Sequence, residues 1–239
     1  MLSFQTLFAL DLPQSTNSEH FEIFCSEKDK EEIVTLLQSC ETLYSKLSEE
    51  FHSQFSSKIQ IRLFPDIVTF HEAIDSEDAP DWWIIQYGNP IQMVSPLNPG
   101  SYHSAENVRK ALLKAVVQTF IYHKFPQCNA PWWLIAGVTA KRVDWPYQRV
   151  TSFFPEVNEL ENSTYGLPGM GWCAVSLTSY IEENYGWEAL LELLEDYSSF
   201  EQVLGLSKEA LVNQWHAFLQ NIPPLSARVG PPFVTPFLT

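Results

Sequence analysis

Few side chains in this 239-residue chain stand at spacings that support chemistry. The six histidines are His20, His52, His71, His103, His123 and His216, and no two are four apart, the spacing that lets two imidazoles on one helical face reach a single metal ion. Glu49 with His52 and His103 with Glu106 have i, i+3 spacing, and both pairs read more simply as polar residues at helix ends than as metal ligands. His123 reads as a helix C-terminal residue facing the negative end of the dipole. Cys25, Cys40, Cys128 and Cys173 show no CxxC pattern and read as reduced, mostly buried thiols. Within "GLPGMGWC" there is neither a GxSxG nucleophile elbow nor the GK[ST] ending of a phosphate loop. Cys173 lies in an apolar helical stretch and reads as structural.

The elements that would position such residues follow from hydrophobic periodicity. "HFEIFC" and "KIQIRLFP" alternate and predict strands, with Pro65 ending the second. Between them Ile33, Leu37, Cys40, Tyr44, Leu47 and Phe51 recur every three or four residues, which predicts a long amphipathic helix; Ser26 and Asp29 give it a capping-box-like start. A short helix near "IVTFHEAI" follows, and "DWWIIQYGNPIQMVSP" predicts two short strands around Gly88-Asn89-Pro90. From about Ser104 to His123 the chain predicts a helix apolar on nearly every side. "PWWLIAGVTAKRV" predicts another, with Pro131 as its first residue and Lys141 and Arg142 at its negative end. After a polar loop from Asp144 to about Gly169 the chain reads as helical: "GWCAVSLTSYIEENYG" ending at Gly186, "WEALLELLEDY", "SFEQVLG" and "SKEALVNQWHAFLQ". Residues 221–239 are Pro-rich and read as an extended tail. The expected organisation is an N-terminal subdomain over 1–143, a helical subdomain over 144–220 and the tail.

Composition narrows the partners. Fourteen Lys and Arg against 29 Asp and Glu give a formal charge of −15, which opposes contact with nucleic acid or anionic lipid. No apolar run approaches the roughly 20 residues that cross a bilayer. The opening "MLSFQTLFALDLPQ" has no basic residue before its apolar part and carries Asp11, so it reads as folded chain rather than a secretion signal, and the expected location is cytoplasmic.

The order of elements, with "HFEIFCSE", "KIQIRLFPDIVTF", "APWWLIAGVTAKRV" and the C-terminal "SYIEENYGWEALLELLEDYSSFEQVLGLSKEALVNQWHAFL", resembles the peptidase MA-like gluzincin metallopeptidases over roughly residues 19 to 220. The resemblance implies an α+β, zincin-like fold with a small mixed sheet and long helices in the N-terminal half and a helical C-terminal half. In an active member the buried helix carries HExxH, and the next helix supplies a carboxylate from a phrase like NEGLAEY. Here the two histidine positions fall on Ala115 and Thr119, the glutamate on Val116 and the carboxylate ligand on Ala136, with Gly137 matching the motif. A structural zinc site draws about 10–16 kcal/mol from a complete ligand set, and alkyl groups with one neutral hydroxyl supply almost none of that. No metal and no cofactor are therefore expected, and the chain reads as a pseudopeptidase that binds a protein or peptide. The alternative is a hydrolase that uses another polar set near the old cleft, drawing on the Asp144 to Gly169 loop. In the family, "WWIIQY" and the Pro-Trp helix flank the cleft. Trp82, Trp83, Tyr102, Trp132, Trp133, Tyr165 and Trp172 are thus either core rings or the lining of a surviving aromatic groove, with the "WWIIQY" edge open to strand addition.

Overall fold

A computed structural model describes residues 12–145, 147, 154–163 and 169–221. The opening residues 1–11, residues 146, 148–153 and 164–168 of the 144–169 loop, Tyr165 among them, and the tail beyond Asn221 lie outside these residues. The chain is α+β and divides into two compact units between Pro126 and Gln127.

The first unit holds a five-stranded sheet of order β1-β2-β3-β5-β4: β1 Gln14–Asn17, β2 Phe21–Cys25, β3 Ile59–Phe64, β4 Ile85–Gln86 and β5 Ile91–Val94. β2, β3 and β5 run parallel, and each edge strand is antiparallel to its neighbour. Parallel neighbours need a crossover, and helix α1, Lys30–Glu50, supplies the one from β2 to β3. Register places Ile23 beside Ile61 and Ile61 beside Ile91, so the fully buried Phe21, Ile23, Ile59, Ile61, Leu63, Ile91 and Met93 share one face. Glu22, Gln60, Arg62, Gln92 and Gln86 line the other face, which is half-buried to exposed. One apolar and one polar face is what the alternation of "HFEIFC" and "KIQIRLF" requires.

Two further helices complete this unit: α2, Ile67–Ala73, and α3, Ala105–Lys124. Asp66 caps α2 by accepting the Thr69 N–H at 2.9 Å, and Ser104 caps α3 by accepting the Asn107 N–H at 3.2 Å. The start of α1 is built differently from the expected capping box. Ser26 and Ser95 hydroxyls donate to the two oxygens of the buried Asp29 carboxylate, which ties the entry of α1 to the exit of β5 side chain to side chain. α3 is buried from Val108 to Ile121 on nearly every side, and Phe120 packs edge-on against Phe55 at 4.9 Å and Tyr44 at 5.1 Å.

The second unit is helical: α4 Trp132–Arg142, α5 Val157–Glu161, α6 Met170–Glu195, α7 Phe200–Leu204 and α8 Lys208–Asn221. Pro131 sits at the N-cap of α4, one place before its predicted position. The expected boundary near residue 143 is displaced because α4 belongs with these helices. A Cβ built on Gly137 would stand 2.1 Å from Thr178 Oγ1 and 2.4 Å from the Ala174 carbonyl oxygen, so α4 and α6 approach to backbone contact at a position only glycine fits. Gly186 has φ 87° and ψ 171°, which breaks α6 where the sequence predicts an end, although the chain resumes helix at once. Among the described residues no helix is long and apolar enough to cross a membrane.

Candidate functional site

The positions at which the resemblance would place metal ligands carry alkyl groups and one hydroxyl, and are largely buried. Ala115 and Val116 on α3 are fully buried, and the Thr119 hydroxyl donates to its own helix at the Ala115 carbonyl, 2.8 Å away. A hydroxyl engaged in the preceding turn is a poor donor of electron pairs to a metal. In the second unit Ala136 is buried, and its carbonyl accepts the Thr139 hydroxyl at 3.0 Å. Among the described residues no group of three or more His, Cys, Asp or Glu side chains converges in a way that could hold a metal ion. Gly137, the one position that matches the family's phrase, is accounted for by the close approach of α4 to α6. Next to Ala115, Lys114 is buried as well, and burial lowers its ammonium to about 8.

The histidines have structural work. His71 Nε2 lies 2.8 Å from the Trp83 carbonyl, His103 Nε2 2.8 Å from the Trp82 carbonyl, His123 Nε2 3.1 Å from the Gln54 carbonyl and His216 Nε2 3.2 Å from the Pro155 carbonyl. A carbonyl only accepts, so each of these Nε2 atoms carries the proton and donates it. His20 directs Nδ1 at Glu41 Oε2, 2.7 Å away, and stacks on Tyr44. His123 lies in the last turn of α3, as expected, and there its ring stacks on Phe55 at 4.0 Å and fastens the loop after α1. His103 precedes the Ser104 cap, so it shares no helical face with Glu106. His52 follows the end of α1 at φ 47°, off the face that bears Glu49. Cys25 and Cys173 are buried, and desolvation first of all pushes their thiols up to about 11 and about 12, which makes them unreactive at neutral pH.

The tryptophans and tyrosines separate by element. Trp82 and Trp83 are each 36% exposed, Tyr102 51% and Tyr87, which the sequence reading passed over, 40%. Trp82 and Trp83 precede β4 with Ile84 between, Tyr87 follows it, and Tyr102 adjoins His103, whose ring is bonded to the Trp82 carbonyl. In the second unit Trp132 and Trp172 are half-buried, whereas Trp133 is 2% exposed and packs edge-on against Tyr197 at 6.3 Å. Trp133 is core, because the helical phase that turns Gly137 and Ala140 inward turns position 133 inward too.

The edge of β4 carries a contact that nothing in its composition foretells. Trp83 Nε1 donates to the Ile85 carbonyl at 2.7 Å. With the His71 and His103 bonds, the carbonyls of Trp82, Trp83 and Ile85 all accept from side chains. A polar depression of about 470 Å³ elsewhere on this unit is lined by Asn17, Glu22, Ser57, Lys58, Gln60 and Asn89. Its carboxylate accepts the Gln60 amide at 3.0 Å, its ammonium is held by the Ser18 carbonyl at 2.6 Å, and no nucleophile is bonded to a base among the six. That set does not form an acid-base pair. No protein-family model matches the chain, and no curated protein matches it.

Proposed function

We propose that the chain is a degenerate, gluzincin-like scaffold without peptidase chemistry, and that it binds an extended segment of another protein along β4. What carries the reading is the display of Trp82, Trp83, Tyr87 and Tyr102 around a short antiparallel edge strand. Large aromatic rings left in water beside an edge strand suit a partner that adds a strand and fills side-chain pockets. The alkyl groups at Ala115, Val116 and Ala136 support the non-catalytic half of the reading, since neither a metal nor a water-activating base has a place to bind there.

Panning a random-peptide display library against the full chain tests it. Enriched peptides should lose about 30-fold or more in affinity with Trp82→Ala or Tyr102→Ala, the scale of a binding hot spot, while the far-UV spectrum is unchanged. Peptides indifferent to both substitutions would remove the β4 surface from the reading. One tightly held zinc per chain by elemental analysis would remove the pseudopeptidase half.

A further inference from the structure

The ladder between β4 and β5 fixes which main-chain groups face the open edge. Val94 N–H donates to the Ile84 carbonyl at 3.0 Å, and Ile85 and Gln86 stand opposite Met93 and Gln92. Bonding alternates along an antiparallel pair, so Ile84 and Gln86 turn their N–H and C=O groups to β5 while Ile85 turns both of its own outward. A strand added to β4 would pair there. In the free protein the outward Ile85 carbonyl already accepts the Trp83 indole N–H at 2.7 Å, in the place of a partner's backbone N–H. The 82–83 backbone is held separately by the His103 and His71 bonds, so the indole can swing without releasing the chain that bears it.

The charge around this edge is one-sided. Between Arg62 and Arg109 lie Asp66, Glu72, Asp75, Glu77, Asp78, Asp81 and Glu106, with no Lys or Arg among them. Glu72, Asp75, Glu77, Asp78 and Asp81 are exposed in the run that leads into Trp82, and no ion pair among the described residues uses them. A second copy of the chain would bring the same acidic run against this one, and like charges in apposition oppose docking. A cationic strand meets a complementary field.

Resting on the scaffold reading above, we propose that Trp83 is a latch on the β4 edge and that the segment displacing it is an extended strand rich in Lys or Arg. The latch keeps a lone edge strand from indiscriminate pairing, a standing hazard for exposed sheet edges. The acidic run selects which strand opens it.

Two capped octapeptides test this on the full chain, one of alternating Thr and Lys and its alternating Thr and Glu counterpart. Saturating Thr-Lys peptide should slow exchange of the Ile85 amide proton about tenfold or more, and the Thr-Glu peptide should leave it unchanged. Trp83→Phe keeps a ring and removes the N–H, and should bind the Thr-Lys peptide about tenfold more tightly. Asp78→Lys with Asp81→Lys should weaken it about tenfold. Equal protection by both peptides would overturn the charge assignment. Unaltered affinity in a folded Trp83→Phe would overturn the latch while leaving strand binding in place. Self-association of Trp83→Phe without peptide would give the edge to a second copy and overturn the proposal. Should Trp83→Phe fail to fold, the exchange measurement on the unaltered protein stands alone: no slowing at Ile85 with Thr-Lys peptide overturns the proposal. The scaffold reading fails separately, when library peptides bind without any dependence on Trp82 or Tyr102.

Discussion

The same dipeptide, Trp-Trp, occurs once in each unit and meets opposite fates. Trp132-Trp133 opens α4, where consecutive side chains diverge by about 100°, so Trp133 enters the core at 2% exposure while Trp132 stays half-buried. Trp82-Trp83 lies in an irregular run between Pro80 and β4, and both rings remain 36% exposed. Composition is identical, so the difference comes from what lies beneath each pair. A helix closed against its neighbour at Gly137 demands large apolar volume at its inward positions, whereas a two-residue edge strand has only one side to bury. Tryptophan enters the core where an element supplies a second surface and stays partly in water where none does.

The comparison can be broken by truncating its buried member. Trp133→Ala should lower stability by about 3–5 kcal/mol, the range for deleting a buried aromatic ring, measured by urea unfolding; a loss under about 1 kcal/mol would mean the ring contributes little packing. Lys114 sharpens the contrast inside the first unit, because α3 buries an ammonium where β4 leaves apolar rings in water. Burial lowers its folded-state value from 10.5 to about 8. Between those values the unfolded chain binds the proton and the folded chain does not, so stability rises with pH across that window; below about 8 the penalty is present in full. Lys114→Met should flatten this rise, by about 3 kcal/mol across the window, and matching urea curves at pH 7.5 and 10 would show it. Subtracting the two profiles removes the contribution of the buried thiols, which runs the other way. Gly137→Ala should cost about 1–3 kcal/mol by forcing a methyl into the Ala174 backbone. Smallest is Trp82→Ala, whose effect on stability should stay within about 0.5 kcal/mol; a larger loss would place that ring in the core after all.

Much of the fold is legible in the chain because local periodicity dictates it. The alternation of Phe21, Ile23 and Cys25 and the three-four spacing of Ile33 through Phe51 leave one way for each segment to bury its apolar side, and β2 and α1 follow. The unit boundary is not legible: α4 is apolar enough to pack on either neighbour, and its partner surface at Ala174 and Thr178 lies about forty residues downstream. Trp133 could have been separated from the groove set, since Trp133, Gly137 and Ala140 recur at four and three and so share a face. The histidine bonds had no such signal. His123 meets a carbonyl 69 positions away, and only the folded chain brings them together. The Trp83 bond to Ile85 was hidden for another reason, because a contact two residues apart depends on a side-chain rotation that no pattern of residue types specifies.

Gly186 leaves the chain at a torsion that mirror-image residues would find comfortable and natural ones would not. An alanine methyl there would meet no heavy atom within 4 Å beyond the backbone adjoining it. Any penalty from Gly186→Ala would therefore come from the clash of the new Cβ with its own adjoining backbone, free of tertiary contact, which makes this joint in α6 a gauge of what handedness costs a polypeptide.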